Sequence, residues 1–156
     1  VQNDHASVNH CTNPARADLG SHEAHNNLGT ALAEQNLLDE AIASYREALR
    51  LAPEYADAHS NLGNTLRRHG HLVDAELHCL EALRLRPDSA EAHHNRGAVL
   101  QAQGQLAEAI TCYHEALRLQ SEFAEAHNNL GTALQEQGRL AEAVAQLEMM
   151  AASYRP

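Results

Sequence analysis

The 156-residue sequence has no lysine and no tryptophan, only 3% aromatic residues and only three cysteines. Each shortage excludes something. With few rings and 44% hydrophobic content rich in Ala and Leu, a thick globular core is hard to fill, whereas thin helical layers suit strong helix formers. Eleven arginines stand against 21 acidic residues, and the formal net charge of -10 argues against nucleic acid, whose binding rests on Lys and Arg. Cys11, Cys79 and Cys112 are an odd number without CxxC spacing, so neither a disulfide framework nor a zinc knuckle is expected. A reducing, cytoplasmic setting is the simpler expectation. No apolar run approaches the ~18 residues that span a bilayer, so no membrane partner is expected, and no basic-then-apolar signal opens the sequence. Val1 in place of Met is expected of a processed or excised piece.

What is present is a repeat. Ala124-Glu-Ala-His-Asn-Asn-Leu-Gly-Thr-Ala-Leu134 recurs with small changes at residues 90–100, 56–66 and 22–32, three equal steps of 34 residues. Self-similarity at this period marks a stacked solenoid, in which one unit cannot bury its apolar face without neighbours. The repeats fall at 22–55, 56–89, 90–123 and 124–156, after a non-repeat tail over 1–21. That tail is rich in Asn, His and turn formers, and reads as a flexible linker or, alternatively, a segment docked on a neighbouring surface.

Within the first repeat, Leu28, Gly29, Leu32, Ala41, Tyr45 and Ala48 followed by Pro53 specify two antiparallel helices, near 22–35 and 38–51, and a stop. Asn36 stands at the turn where the other repeats have Gly70, Gly104 and Gly138, all residues that tolerate a left-handed conformation. Pro53 and Pro87 recur, but Ser121 replaces the third proline, so a looser junction is expected there. Cys79 occupies the slot of Tyr45 and Tyr113 as a small core filler. Arg96 breaks the Leu28, Leu62, Leu130 series and is expected to snorkel outward, the alternative being a contact in a binding groove. The fourth repeat ends on Met149 and Met150 with no polar capping helix behind it.

The spacing His25-x2-Leu28-Gly29-x2-Leu32, then Ala41-x3-Tyr45-x2-Ala48 and Pro53, resembles the tetratricopeptide repeat, with His in the slot usually held by Trp or Tyr. The wording Ala-His-Asn-Asn-Leu-Gly is most similar to the repeats of O-linked N-acetylglucosamine transferases and their bacterial relatives. The resemblance implies an all-α, right-handed superhelical solenoid of four helix-turn-helix units. Its first helices would line a concave groove that holds an extended peptide. It implies binding, not catalysis.

Asn27, Asn61, Asn95 and Asn129 share one repeat position and are expected to form a ladder along that groove. Packed helices sit ~8–10 Å apart and an extended peptide advances ~3.3 Å per residue, so a rung would meet about every third residue of it. An amide both donates and accepts, which suits a peptide backbone. The transferase repeats carry asparagines at matching positions. The competing reading is that these amides tie adjacent helices together. Glu23, Asp57, Glu91 and Glu125 flank the ladder at the expected starts of the first helices, where the helix dipole favours them, and Thr30, Asn64 and Thr132 lie beside it. A clamp for an acidic C-terminus is not expected, since Asn26 and Ser60 hold its leading position and lysine is absent.

The histidine ladder His25, His59, His93, His127 is too widely spaced for one metal ion, so half-buried packing is expected, and His69 with His71 would hold at most an adventitious one. No metal, cofactor or catalytic residue is expected, because no phosphate loop or nucleophile motif occurs. The function expected is a protein-interaction module for an extended peptide or protein segment. Two alternatives stand beside it. One is a head-to-tail structural subunit whose tail docks on a neighbour, suggested by the uncapped end. The other is the substrate-binding arm of a bacterial glycosyltransferase.

Overall fold

A computed structural model describes residues 14–153. Among them are eight helices and no strand: α1 (Pro14–Glu34), α2 (Leu38–Leu51), α3 (Ala56–His69), α4 (Leu72–Leu85), α5 (Ala90–Ala102), α6 (Leu106–Leu119), α7 (Ala124–Glu136) and α8 (Leu140–Ser153). Each odd-numbered helix packs on the even-numbered helix that follows it, and each pair packs on the next. The odd-numbered helices also touch one another in succession, whereas among the described residues no two even-numbered helices meet. The stack is therefore a solenoid that curves, with α1, α3, α5 and α7 on its inner side. Among the described residues no helix is long and apolar enough to cross a membrane.

The turn chemistry sets each helical pair. Asn36 (φ 61°), Gly70 (92°), Gly104 (79°) and Gly138 (81°) are left-handed, and the next residue's N–H returns to a carbonyl of the helix, as His71 does to Leu66 O at 2.9 Å. This closure satisfies carbonyls that a helix end leaves bare. Close packing within the pair then depends on a missing Cβ. A Cβ on Gly97 would meet Tyr113 at 2.7 Å, and one on Gly29 would meet Tyr45 at 2.7 Å, so these glycines let a buried tyrosine ring lie against the helix backbone.

Two expectations about boundaries fail. Helix α1 begins at Pro14, not near 22, so residues 14–21 extend the first helix rather than a tail. Proline suits a first helical position, where its missing N–H has no partner to lose. The rest of the expected tail, 1–13, lies outside the described residues. The Ser121 junction is no looser than the others. Gln120 N–H returns to Ala116 O at 2.9 Å, as Ala52 does to Ala48 at 2.9 Å and Arg86 to Ala82 at 2.8 Å, and α6 is as long as α2 and α4.

The histidine ladder explains why proline can be dispensed with. His59 Nε2 donates to Pro53 O at 2.9 Å, His93 Nε2 to Pro87 O at 2.9 Å and His127 Nε2 to Ser121 O at 2.8 Å. The imidazole thus pins the inter-repeat turn from inside the following helix, whatever residue supplies the carbonyl.

The core forms two clusters. One gathers Tyr45, Leu62, Leu66, Cys79 and Val99, the other Leu100, Ile110, Cys112, Tyr113, Leu130 and Leu134, so they part within α5. Cys79 is fully buried and its thiol pKa is pushed up to about 12 by burial, in keeping with a packing role. Leu62 and Leu130 are buried at 0% exposure, whereas Leu28, in the same slot of the first repeat, is 50% exposed. At the other end Val144, Leu147 and Met149 are exposed.

Candidate functional site: the inner face

Residues spaced i, i+4, i+7 share one helix face. On α3 these are Asp57, Asn61 and Asn64, on α7 Glu125, Asn129 and Thr132, and on α1 Glu23, Asn27 and Thr30. In α5 the matching residues are Glu91, Asn95 and Ala98, so the polar stripe loses its last member there.

The ladder amides reach across the solenoid. Asn61 Nδ2 donates to Asn26 Oδ1 at 3.1 Å, Asn95 Nδ2 to Ser60 Oγ at 3.0 Å and Asn129 Nδ2 to His94 Nε2 at 2.8 Å. Each donor therefore ties one inner helix to the inner helix before it, the competing role considered for these residues. Asn95 is buried, Asn61 and Asn129 are half-buried, and Asn27 is exposed. The Oδ1 atoms of Asn61 and Asn129 receive no hydrogen bond from the described residues and stay available as acceptors. The pKa of His94 is lowered, chiefly by burial, which keeps its ring neutral and able to accept from Asn129.

The flanking residues are mostly engaged locally. Thr30 Oγ1 donates to Asn26 O at 3.2 Å and accepts from Tyr45 Oη at 3.2 Å, and Thr132 Oγ1 donates to Asn128 O at 3.1 Å. Asp57 is paired with Arg86 at 2.6 Å. Glu91 is exposed, and crowding by its neighbours, followed by the nearby Asp57 carboxylate, raises its pKa. Asp57, Glu91 and Glu125 do open their helices, but Glu23 lies deep inside α1, so the dipole argument does not hold for it. The eleven expected residues are spread along the whole inner face and do not converge.

One cavity of about 360 Å³ does converge, from three inner helices and one outer tyrosine: Arg67 of α3, His94 and Gln101 of α5, Asn129 and Glu136 of α7, and Tyr113 of α6. Gln101 Nε2 donates to Glu136 Oε1 at 3.0 Å and accepts from Tyr113 Oη at 2.8 Å. Arg67 donates through Nη2 to Asn64 Oδ1 at 3.0 Å, while its buried Nε has no hydrogen-bond partner. Asn129 alone of these was expected. Arg67 lies three residues, about one turn, beyond Asn64 and so beside the polar stripe of α3, but its meeting with α5 and α7 depends on how the helices stack.

Among the described residues, no group of three His, Cys, Asp or Glu side chains could hold a metal. His69 stacks on His71 at 4.9 Å and its Nε2 lies 2.9 Å from Asp39 Oδ1.

The protein is similar to known ones along its length. A family profile described as TPR repeat matches residues 29–70 and 100–138, and profiles described as tetratricopeptide repeat match 56–89, 78–111 and 123–155. No curated protein matches by sequence. Among solved structures, MamA is similar in fold at 24% identity, with a TM-score of 0.75, over 90% of this chain and 82% of that one. The first TPR of Spaghetti (RPAP3), bound to the HSP90 peptide SRMEEVD, is 26% identical with a TM-score of 0.71, over 76% of this chain and 94% of that one. An O-GlcNAc transferase mutant of Thermobaculum terrenum is 28% identical with a TM-score of 0.73, over 75% of this chain but only 22% of that one.

Proposed function

The chain belongs to the tetratricopeptide repeat family, a repeat of protein interaction modules, and from that premise we propose that its inner face holds an extended peptide across α3, α5 and α7. The observation that carries this reading is the polar cavity to which Arg67, Gln101, Asn129 and Glu136 contribute both donors and acceptors. The ladder amides serve twice in it. Their hydrogens brace the stack, and the Oδ1 atoms of Asn61 and Asn129 accept from peptide N–H groups. Arg67, with an unanswered buried Nε, supplies the one cation of the cavity and favours a peptide carbonyl or carboxylate. A similar structure that holds a peptide supports a peptide as the ligand.

The test is a peptide selected from a random library against the intact protein, mapped by amide chemical shifts. Shifts are expected on α3, α5 and α7, and Arg67→Ala should weaken binding about tenfold or more, since bonds to a charged group are worth ~1.5–3 kcal/mol. Asn61→Ala should weaken it further than Asn26→Ala, which removes the brace and leaves the ladder residue. Shifts confined to the even-numbered helices would sink the inner-face reading, and equal effects of the two Asn variants would sink the ladder.

A further inference from the structure

Position 96 is the place where the repeat pattern and its chemistry part. Its counterparts Leu62 and Leu130 are fully buried between helices, but here the sequence sets a guanidinium. Arg96 lies close to Cys79 of α4 and Cys112 of α6, so that its charge opposes the rise that burial imposes on both thiols. It therefore stands at the seam where the two core clusters part. Its Nε is buried and has no hydrogen-bond partner, and no ion pair reaches its guanidinium from the described residues. A desolvated donor left unanswered is costly, and a planar guanidinium presents its donors in a fixed fork that fits a planar two-oxygen acceptor.

Space for such an acceptor exists. A cavity of about 470 Å³ opens over Arg96, with His93 from the same helix and Thr111, His114, Glu115 and Arg118 from α6 around it. None of these residues lines the inner-face cavity. The single carboxylate at the rim is already spoken for. Glu115 accepts from Arg118 Nη2 at 2.6 Å and Nε at 2.9 Å, the same helical pairing that Glu47 makes with Arg50 and Glu81 with Arg84. Glu115 and Arg118 cancel, which leaves one net cation, that of Arg96.

We propose that this outer-face cavity is a second recognition site, which takes a single carboxylate from an acidic protein segment on the Arg96 guanidinium. One unpaired cation is matched by one negative charge. A doubly charged phosphate would exceed that match and would meet the Glu115 carboxylate at the rim. The overall charge of -10 does not forbid an acidic segment, because at physiological salt charges beyond ~8 Å are largely screened and the local cation decides. The site is independent of the inner-face groove, so the two can be occupied together. An Asp or Glu side chain and a free terminal carboxylate present the same group.

The intact protein is titrated with acetyl-triglutamate amide, acetyl-triglycine with a free C-terminus, acetyl-triglutamine amide and inorganic phosphate, followed by nitrogen-15 NMR. Saturable shifts of the Arg96 Nε–H and of the Thr111 and His114 amides are expected with triglutamate, with triglycine or with both, and the stronger of the two identifies the source. Arg96→Leu, which restores the residue found at 62 and 130 and so should fold, is expected to lower affinity about tenfold or more, and Arg96→Lys to weaken it by losing the fork. Equal binding of triglutamine, preference for phosphate, no shift at all, or binding undiminished in a folded Arg96→Leu would each overturn the proposal.

Discussion

Repeats 56–89 and 90–123 share one backbone plan but fill it with different chemistry. In the first, Leu62 is sealed among Tyr45, Leu66 and Cys79, and His59 meets His78 across the helix pair. In the second, the Leu62 slot holds Arg96, the Cys79 slot holds Tyr113 and the His78 slot holds Cys112. Neighbouring repeats in a solenoid contact only each other, so such exchanges stay local and the fold tolerates them. The lesson is that the repeat pattern fixes where a side chain goes, and the departures from it mark where something other than packing is served.

The comparison can be broken most severely at Leu62. Leu62→Ala removes a fully buried side chain from the first cluster and should cost ~2–5 kcal/mol, read as a large drop in the denaturant midpoint at unchanged slope. Arg96→Ala at the matching slot should cost far less, because no sealed cluster is opened there. Equal losses would show that position 96 is as much a core site as position 62.

A smaller effect of opposite sign is expected from Arg96→Leu. It removes a buried donor without a partner and offers Leu to the seam between the two clusters, so a gain of ~1–2 kcal/mol is expected from the relieved desolvation. Thermal unfolding of this variant beside the parent checks it. A loss of stability would mean that the guanidinium stem packs better than a leucine, and the seam would then be a built feature of the wall rather than a cost carried for binding.

Much of this plan is legible in the sequence because it depends on local rules. The 34-residue period, the left-handed turn at Asn36, Gly70, Gly104 and Gly138, and the small or cysteine filler at 79 all follow from conformational or volume limits on single residues. What is not legible depends on partners far away in sequence. The start of α1 at Pro14 lies before the first repeat, where no periodicity marks it. The ladder amides bond to residues 35 positions earlier; a brace between adjacent helices is legible as the competing reading of the ladder, but its acceptors Asn26, Ser60 and His94 are not. That Ser121 serves as well as proline becomes clear only once His127 is seen to bind its carbonyl. Arg67 in the inner cavity needs the curvature of the stack, which no single helix states.

The smallest expected effect separates the two repeats by pH. His59 donates from Nε2 to Pro53 O, so its Nδ1 must accept, and His78 Nδ1 lies 3.0 Å away as the donor. Burial, and then the nearness of His59, hold the pKa of His78 below the ordinary histidine value. The unfolded state takes up this proton near pH ~6.5, before the folded one does, so the unfolded state binds more protons in the window below. The contribution of His78 is complete above that pH and is lost as pH falls towards its depressed folded pKa. His78→Gln should flatten this slope, since a glutamine amide can donate to His59 without titrating. Melting curves at pH 7.5 and 5 check it, the variant losing less than the parent. Some acid loss should persist, because the pKa of His94 is lowered as well and its protonation would end the bond from Asn129. An unchanged slope in His78→Gln would move the acid sensitivity from the outer histidine pair to that inner-face bond.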